Sequence, residues 1–121
     1  MKPAGKREKG RRLELRFAKL LRRSGLDKGA RRRPFSGGVW GVMGRGDIIT
    51  RLPFSFECKN TERLSLWKFW EQAEEQASPS RPPVLIYSSN YRPIMAIMKA
   101  DTFLEILKEI KELKERLDKT I

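Results

Sequence analysis

Apolar positions along the 121-residue chain follow two rhythms, one near 3.6 and one near two, and they predict a mixture of helices and strands. From about Glu8 to Arg23, Leu13, Phe17, Leu20 and Leu21 recur at helical spacing, and Ser24-Gly25 ends the run. Arg31-Arg32-Arg33-Pro34-Phe35-Ser36-Gly37-Gly38 reads as a loop whose backbone can approach a ligand closely. Between Asp47 and Asn60, two β-prone runs flank a short turn near Arg51 to Pro53, the pattern of a hairpin. Ser65 to Gln76 carries Leu66, Trp67, Phe69, Trp70 and Ala73 on a helix capped by Ser65, with at least two of the three rings expected in the core. After a turn at Ser78 to Pro83, Val84 to Ser88 and Ile94 to Lys99 predict buried strands around a loop at Asn90. From Asp101, its expected cap, Phe103, Ile106, Ile110, Leu113 and Leu117 step by three and four along an amphipathic helix, which can pack on the sheet or pair with its copy in another subunit.

Composition narrows this picture. With 39% apolar and 35% charged residues the chain is globular, and its length suits a single domain, 1–121, that includes a flexible basic N-terminal segment at about 1–7. The formal charge of +12 calls for a polyanionic partner. Residues 1–36 hold 14 Lys and Arg against Glu8, Glu14 and Asp27, whereas the remainder is nearly balanced. Packed into one third of the chain, the excess reads as a contact region for phosphates; a merely solvated basic face is the plainer alternative. The expected DNA-contacting residues are Lys6, Arg7, Lys9, Arg11, Arg12, Arg31, Arg32, Arg33 and Ser36. No apolar run reaches membrane-spanning length and no N-terminal pattern reads as a signal peptide, so the expected location is the cytoplasm, with no membrane partner.

Absences remove whole classes of chemistry. There is no His, hence no Ser-His-Asp triad and no His-based metal site. The single Cys58 permits no internal disulfide, and no P-loop is present to hold a nucleotide cofactor. Carboxylates, lysine and a borrowed metal remain.

Those groups concentrate in the hairpin. Side chains alternate along its second strand, placing Phe54, Phe56 and Cys58 on one face and Ser55, Glu57 and Lys59 on the other. Antiparallel pairing would bring Asp47 opposite Glu57 and Lys59. Two neighbouring carboxylates repel unless a cation lies between them, and an all-oxygen donor set favours Mg2+, with Mn2+ able to substitute. The alternative is an exposed Glu57–Lys59 pair on an edge strand; the flanking aromatics argue for a central one. Glu14, beside the first helix's apolar stripe, is either an ordinary salt-bridge partner or an outer-coordination acid.

Gly46-Asp47 followed by Glu57-Cys58-Lys59 resembles the motif of the PD-(D/E)XK nuclease superfamily. Lys9-Gly10 with Glu14, and Arg33-Pro34-Phe35-Ser36-Gly37, are similar to the first helix and the Arg-x-Pro-x-Ser-Gly loop of archaeal-type Holliday junction resolvases; the likeness covers about residues 6–99. Gly46 departs from the usual Pro, and Cys58 from a frequent Val. The resemblance implies an α/β fold with a restriction-endonuclease-like core, a central mixed sheet of about five strands flanked by helices in the order α-β-β-β-α-β-β-α. It also implies catalytic roles for Glu14, Ser36, Asp47, Glu57, Lys59 and Gln72, and metal ligation by Glu14, Asp47, Glu57 and the backbone carbonyl of Cys58.

The implied function is metal-dependent hydrolysis of phosphodiesters in branched DNA, specifically resolution of a four-way junction. Because that junction has two equivalent strands to nick, a homodimer is expected. A nicking or restriction-type endonuclease shares the same fold and site, and a non-catalytic DNA-binding protein would share the basic segment.

Overall fold

The computed structural model describes residues 5–34 and 46–120. Its elements run α1 (Lys6–Arg23), β1 (Arg31–Arg32), β2 (Ile48–Ile49), β3 (Ser55–Asn60), α2 (Leu66–Glu75), β4 (Pro83–Ser88), β5 (Met95–Ile97) and α3 (Ala100–Thr120). This is the expected order, but the strands do not make one five-stranded sheet. Instead β1 and β2 form an antiparallel pair, while β3, β4 and β5 form a separate sheet in that spatial order.

The expected antiparallel hairpin is also replaced. β3 pairs in parallel with β4, with Glu57 opposite Leu85 and Lys59 opposite Tyr87, and β4 pairs antiparallel with β5. Parallel neighbours require a crossover, and α2 supplies it. β2 instead takes Arg31 and Arg32 as partners, so that part of the predicted basic loop is a strand. Among the described residues β3 is therefore the end strand of its sheet, not a central one. The chain near its start, Gly46, bridges to Phe56 along the open side.

Two apolar layers clamp β3 and β4. Leu13, Ala18 and Leu21 of α1 pack with Phe56, Cys58, Val84 and Ile86, and the Phe17 and Phe56 rings meet edge-on at 5.0 Å. Leu20, expected in that stripe, is 49% exposed. On the opposite face Phe69 and Trp70 of α2 cover Leu85, while Trp67 faces solvent, so two of the three rings are core. Neither expected side-chain cap forms: Ser65 makes no capping hydrogen bond, and α3 begins at Ala100 with Asp101 inside its first turn. β5 is shorter and more exposed than its apolar sequence predicts.

The connection from β2 to β3 is pinned twice. Arg81 donates from one guanidinium nitrogen to the carbonyls of Thr50, Leu52 and Phe54. Asp27, fully buried, accepts from the Thr50 hydroxyl at 2.6 Å and the Arg51 amide at 2.9 Å, and its other oxygen accepts from the Gly29 amide. The Thr50 hydrogen bond does most to hold the Asp27 pKa down at about 2, with the two backbone amides adding. Among the described residues no helix is long and apolar enough to cross a membrane.

Candidate active site

Asp47 reaches β3 through the backbone of Gly46. Gly46 has φ +78°, and a Cβ there would strike the Phe56 backbone, lying 2.9 Å from its nitrogen and carbonyl carbon. Neither an ordinary side chain nor a proline ring tolerates that position, which accounts for Gly where the superfamily commonly has Pro. The Arg33 guanidinium donates to the Gly46 carbonyl at 2.8 Å, and the Arg33 amide to the Asp47 carbonyl at 2.8 Å. The Asp47 amide in turn donates to the Phe56 carbonyl at 2.7 Å.

This places the Asp47 carboxylate against the open side of β3, where its Oδ2 accepts from the Cys58 amide at 2.8 Å. An edge strand's unpaired N–H thus becomes the anchor for a carboxylate. A strand residue's N–H and C=O point to the same side, so the Cys58 carbonyl is directed to Asp47's edge as well. The Cys58 thiol is buried in the α1 layer, and burial drives its pKa well up, so it remains a neutral core group.

Glu57 and Lys59 lie on the α2 face of β3. Glu57 Oε2 is buried without a hydrogen-bond partner among the described residues. Burial, then repulsion from Asp47, raises the Glu57 pKa to about 8; Glu14 and Glu75 add to the repulsion and Lys59 opposes it. Asp47 is raised by burial too, against the Cys58 amide and the charges of Lys59, Arg32 and Arg33. Glu14, on α1, is pushed to about 7 by burial and by Asp47, although Arg32 lies only 2.7 Å from its Oε2. Three carboxyls thus raise or share one another's cost of ionisation, while Lys59 attracts all three. The Lys59 ammonium is 5.6 Å from the centre of the Phe69 ring, a cation–π contact that steadies its long side chain.

The remaining predicted residues divide. Gln72, on α2, keeps its Oε1 buried without a partner among the described residues, like Glu57 Oε2. Arg32 binds Glu14, and Arg33 is 9% exposed and committed to Gly46, so neither guanidinium is an open surface cation. Arg11, Arg12 and Arg31 are exposed, Arg12 pairing with Glu8, and Lys9 is half-buried. Lys6 and Arg7 open α1, but their side chains, like all of Ser36, lie outside the described residues. What sequence reasoning missed is the Arg32–Glu14 pair and the structural demand on Gly46; the unusual Gly in place of Pro was the one available signal for the latter.

A family model described as "Phage putative PDDEXK endonuclease" matches residues 5–119. The chain belongs to this family. It is accordingly a member of the PDDEXK nuclease superfamily that the Gly46-Asp47 and Glu57-Cys58-Lys59 motif resembles. No curated protein and no solved structure matches the chain significantly.

PDDEXK nucleases generally use divalent metals. Among the described residues no group of three or more acidic or Cys side chains is gathered tightly enough to enclose an ion. Glu14 is turned to Arg32. The set that fits is smaller: Asp47, Glu57 with its orphaned Oε2, and the Cys58 carbonyl, all hard oxygen donors. Two buried carboxyls that resist ionisation gain most from a cation.

Proposed function

We propose that this PDDEXK nuclease is a structure-specific DNA endonuclease that resolves four-way junctions. The observation that carries the nuclease chemistry is the convergence on β3 of Asp47, Glu57 and Lys59, with the two acids resisting ionisation and one oxygen left unpartnered. Asp47, Glu57 and the Cys58 carbonyl would hold Mg2+, with Mn2+ as a substitute. When bound, the ion polarises a phosphoryl oxygen and makes a water nucleophilic near neutral pH.

The chain's own groups do the rest. Lys59, steadied on Phe69, orients the water and offsets the negative charge that grows on the phosphate. Glu14 stands behind Asp47 as an outer acid, oriented by Arg32. Exposed Arg11, Arg12 and Arg31 supply phosphate contacts on the α1 and β1 side. Specificity for the junction is supported by Lys9-Gly10 with Glu14 and by the Arg33-Pro34-Phe35-Ser36-Gly37 run, both similar to resolvase elements.

The test is a cleavage gel with a four-way junction and a linear duplex of the same sequence, each with Mg2+ and with a chelator. Symmetric nicks in the junction alone, abolished by the chelator, are expected. Equal cutting of both substrates would refute junction specificity, and metal-independent cutting would refute the site.

A further inference from the structure

The α3 helix is a different problem from the nuclease site. It is 21 residues long, and among the described residues none of its side chains is buried and none joins either core cluster. Phe103, Leu104, Leu107, Ile110, Leu113 and Leu117 are each between 43% and 63% exposed. Monomeric proteins seldom leave so many large apolar side chains in one stripe, because each costs free energy against water. A helix of this length without tertiary packing is also only marginally stable in water. The surface ion pairs Lys108–Glu105 and Lys111–Glu115 add little.

The sequence of the stripe says what covers it. Phe103, Ile106, Ile110, Leu113, Leu117 and Thr120 alternate in steps of three and four, the seam of a two-stranded coiled coil. In that register Phe103, Ile110 and Leu117 take the first core position of each heptad, and Ile106, Leu113 and Thr120 the second. Leu107, which widens the apolar stripe, and Glu109, Lys114 and Arg116 then flank the seam. In a parallel pair, Glu109 of one copy faces Lys114 of the other; in an antiparallel pair it faces Arg116. Both contacts are attractive, so the surface is complementary to itself in charge as well as in shape. A polyanionic, apolar-poor partner such as a nucleic acid backbone would match neither the stripe nor the alternating signs beside it.

We infer that α3 is the dimerisation element and that its occupant is the α3 of a second copy of this chain. This stands independently of the junction reading: it holds whether the substrate is a four-way junction or a duplex. Its geometry nevertheless provides two nuclease sites in one particle.

The experiment is sedimentation velocity on the full chain over a wide concentration range, compared with Ile110→Glu and Leu113→Glu. Among the described residues α3 contributes nothing to the two cores, so these variants keep the folded α/β unit, which the near-UV circular dichroism of the chain's aromatic side chains checks. A concentration-dependent dimer is expected, weakened roughly thirtyfold or more by either substitution. Glu109→Lys should weaken it as well, and a second change should restore it: Lys114→Glu for parallel helices, Arg116→Glu for antiparallel ones. A monomer at every concentration overturns the inference. So does a dimer indifferent to Ile110→Glu and Leu113→Glu, or one that neither charge reversal restores.

Discussion

Replacing Glu57 with Gln isolates the electrostatic cost built into the site. The variant keeps the shape of the side chain and removes a charge that burial and Asp47 disfavour. In the metal-free protein the Glu57 pKa lies at about 8 against an ordinary 4.5. A raised carboxyl pKa means that the folded chain holds a proton the unfolded chain has already lost, so stability falls as pH rises from about 4.5 to about 8 and then levels off. Because Asp47 and Glu14 share the repulsion and Glu57 retains some contact with water, the portion recovered at pH 8 by Gln is about 1–2 kcal/mol. For a domain of this size that corresponds to roughly 5–10 °C in Tm. Thermal unfolding with a chelator, at pH 8 and at pH 4.5, reads the effect: Glu57→Gln should melt higher than the parent at pH 8 and nearly with it at pH 4.5. Cleavage should fall by about 100-fold or more, because Gln cannot help neutralise a cation. A variant no more stable than the parent at pH 8 would show that the carboxyls do not repel one another as the structure implies.

Three further outcomes follow from the same region. Gly46→Ala should cost about 2 kcal/mol or more in urea unfolding and reduce cleavage, since the positive φ and the Phe56 backbone both resist a Cβ. Asp47→Asn should eliminate cleavage while leaving junction affinity, measured by gel shift, unchanged or tighter, because one negative charge near the phosphate is gone. Asp27, with its pKa lowered to about 2, contributes stability that is present above about pH 4 and lost as pH falls through about 2; the Tm gap between the parent and Asp27→Asn should therefore narrow over that interval.

Sequence patterns revealed element order well and strand pairing poorly. The 3.6 rhythm found α1, α2 and α3 because each has one apolar stripe, and the alternation in β3 correctly separated Phe56 and Cys58 from Glu57 and Lys59. Alternation cannot say which neighbour a strand takes. β2 and β3 looked like a hairpin because a turn separates them, yet tertiary contacts from Arg81 and Asp27 bend that turn so that β2 joins β1 and β3 joins β4. For the site, the residue types and spacing of Asp47, Glu57 and Lys59 were legible. The way Asp47 meets β3, through Gly46 and the Cys58 amide, depends on backbone geometry that side-chain pattern does not encode. Arg32 and Arg33 were read as surface cations because a charge run carries no sign of which members turn inward.

The parallel union of β3 with β4 makes the chemistry depend on residues made late in the chain. Ser55 to Asn60 has no ladder partner until Pro83 to Ser88 has been synthesised and α2 has folded back across the sheet. A slip of one position would turn Glu57 and Lys59 into the greasy layer beneath α1 and send Phe56 and Cys58 out toward α2. A product truncated after α2 would therefore contain every acidic and ammonium group of the centre yet be inert, and supplying the missing strands as a separate fragment is the direct route to reviving it.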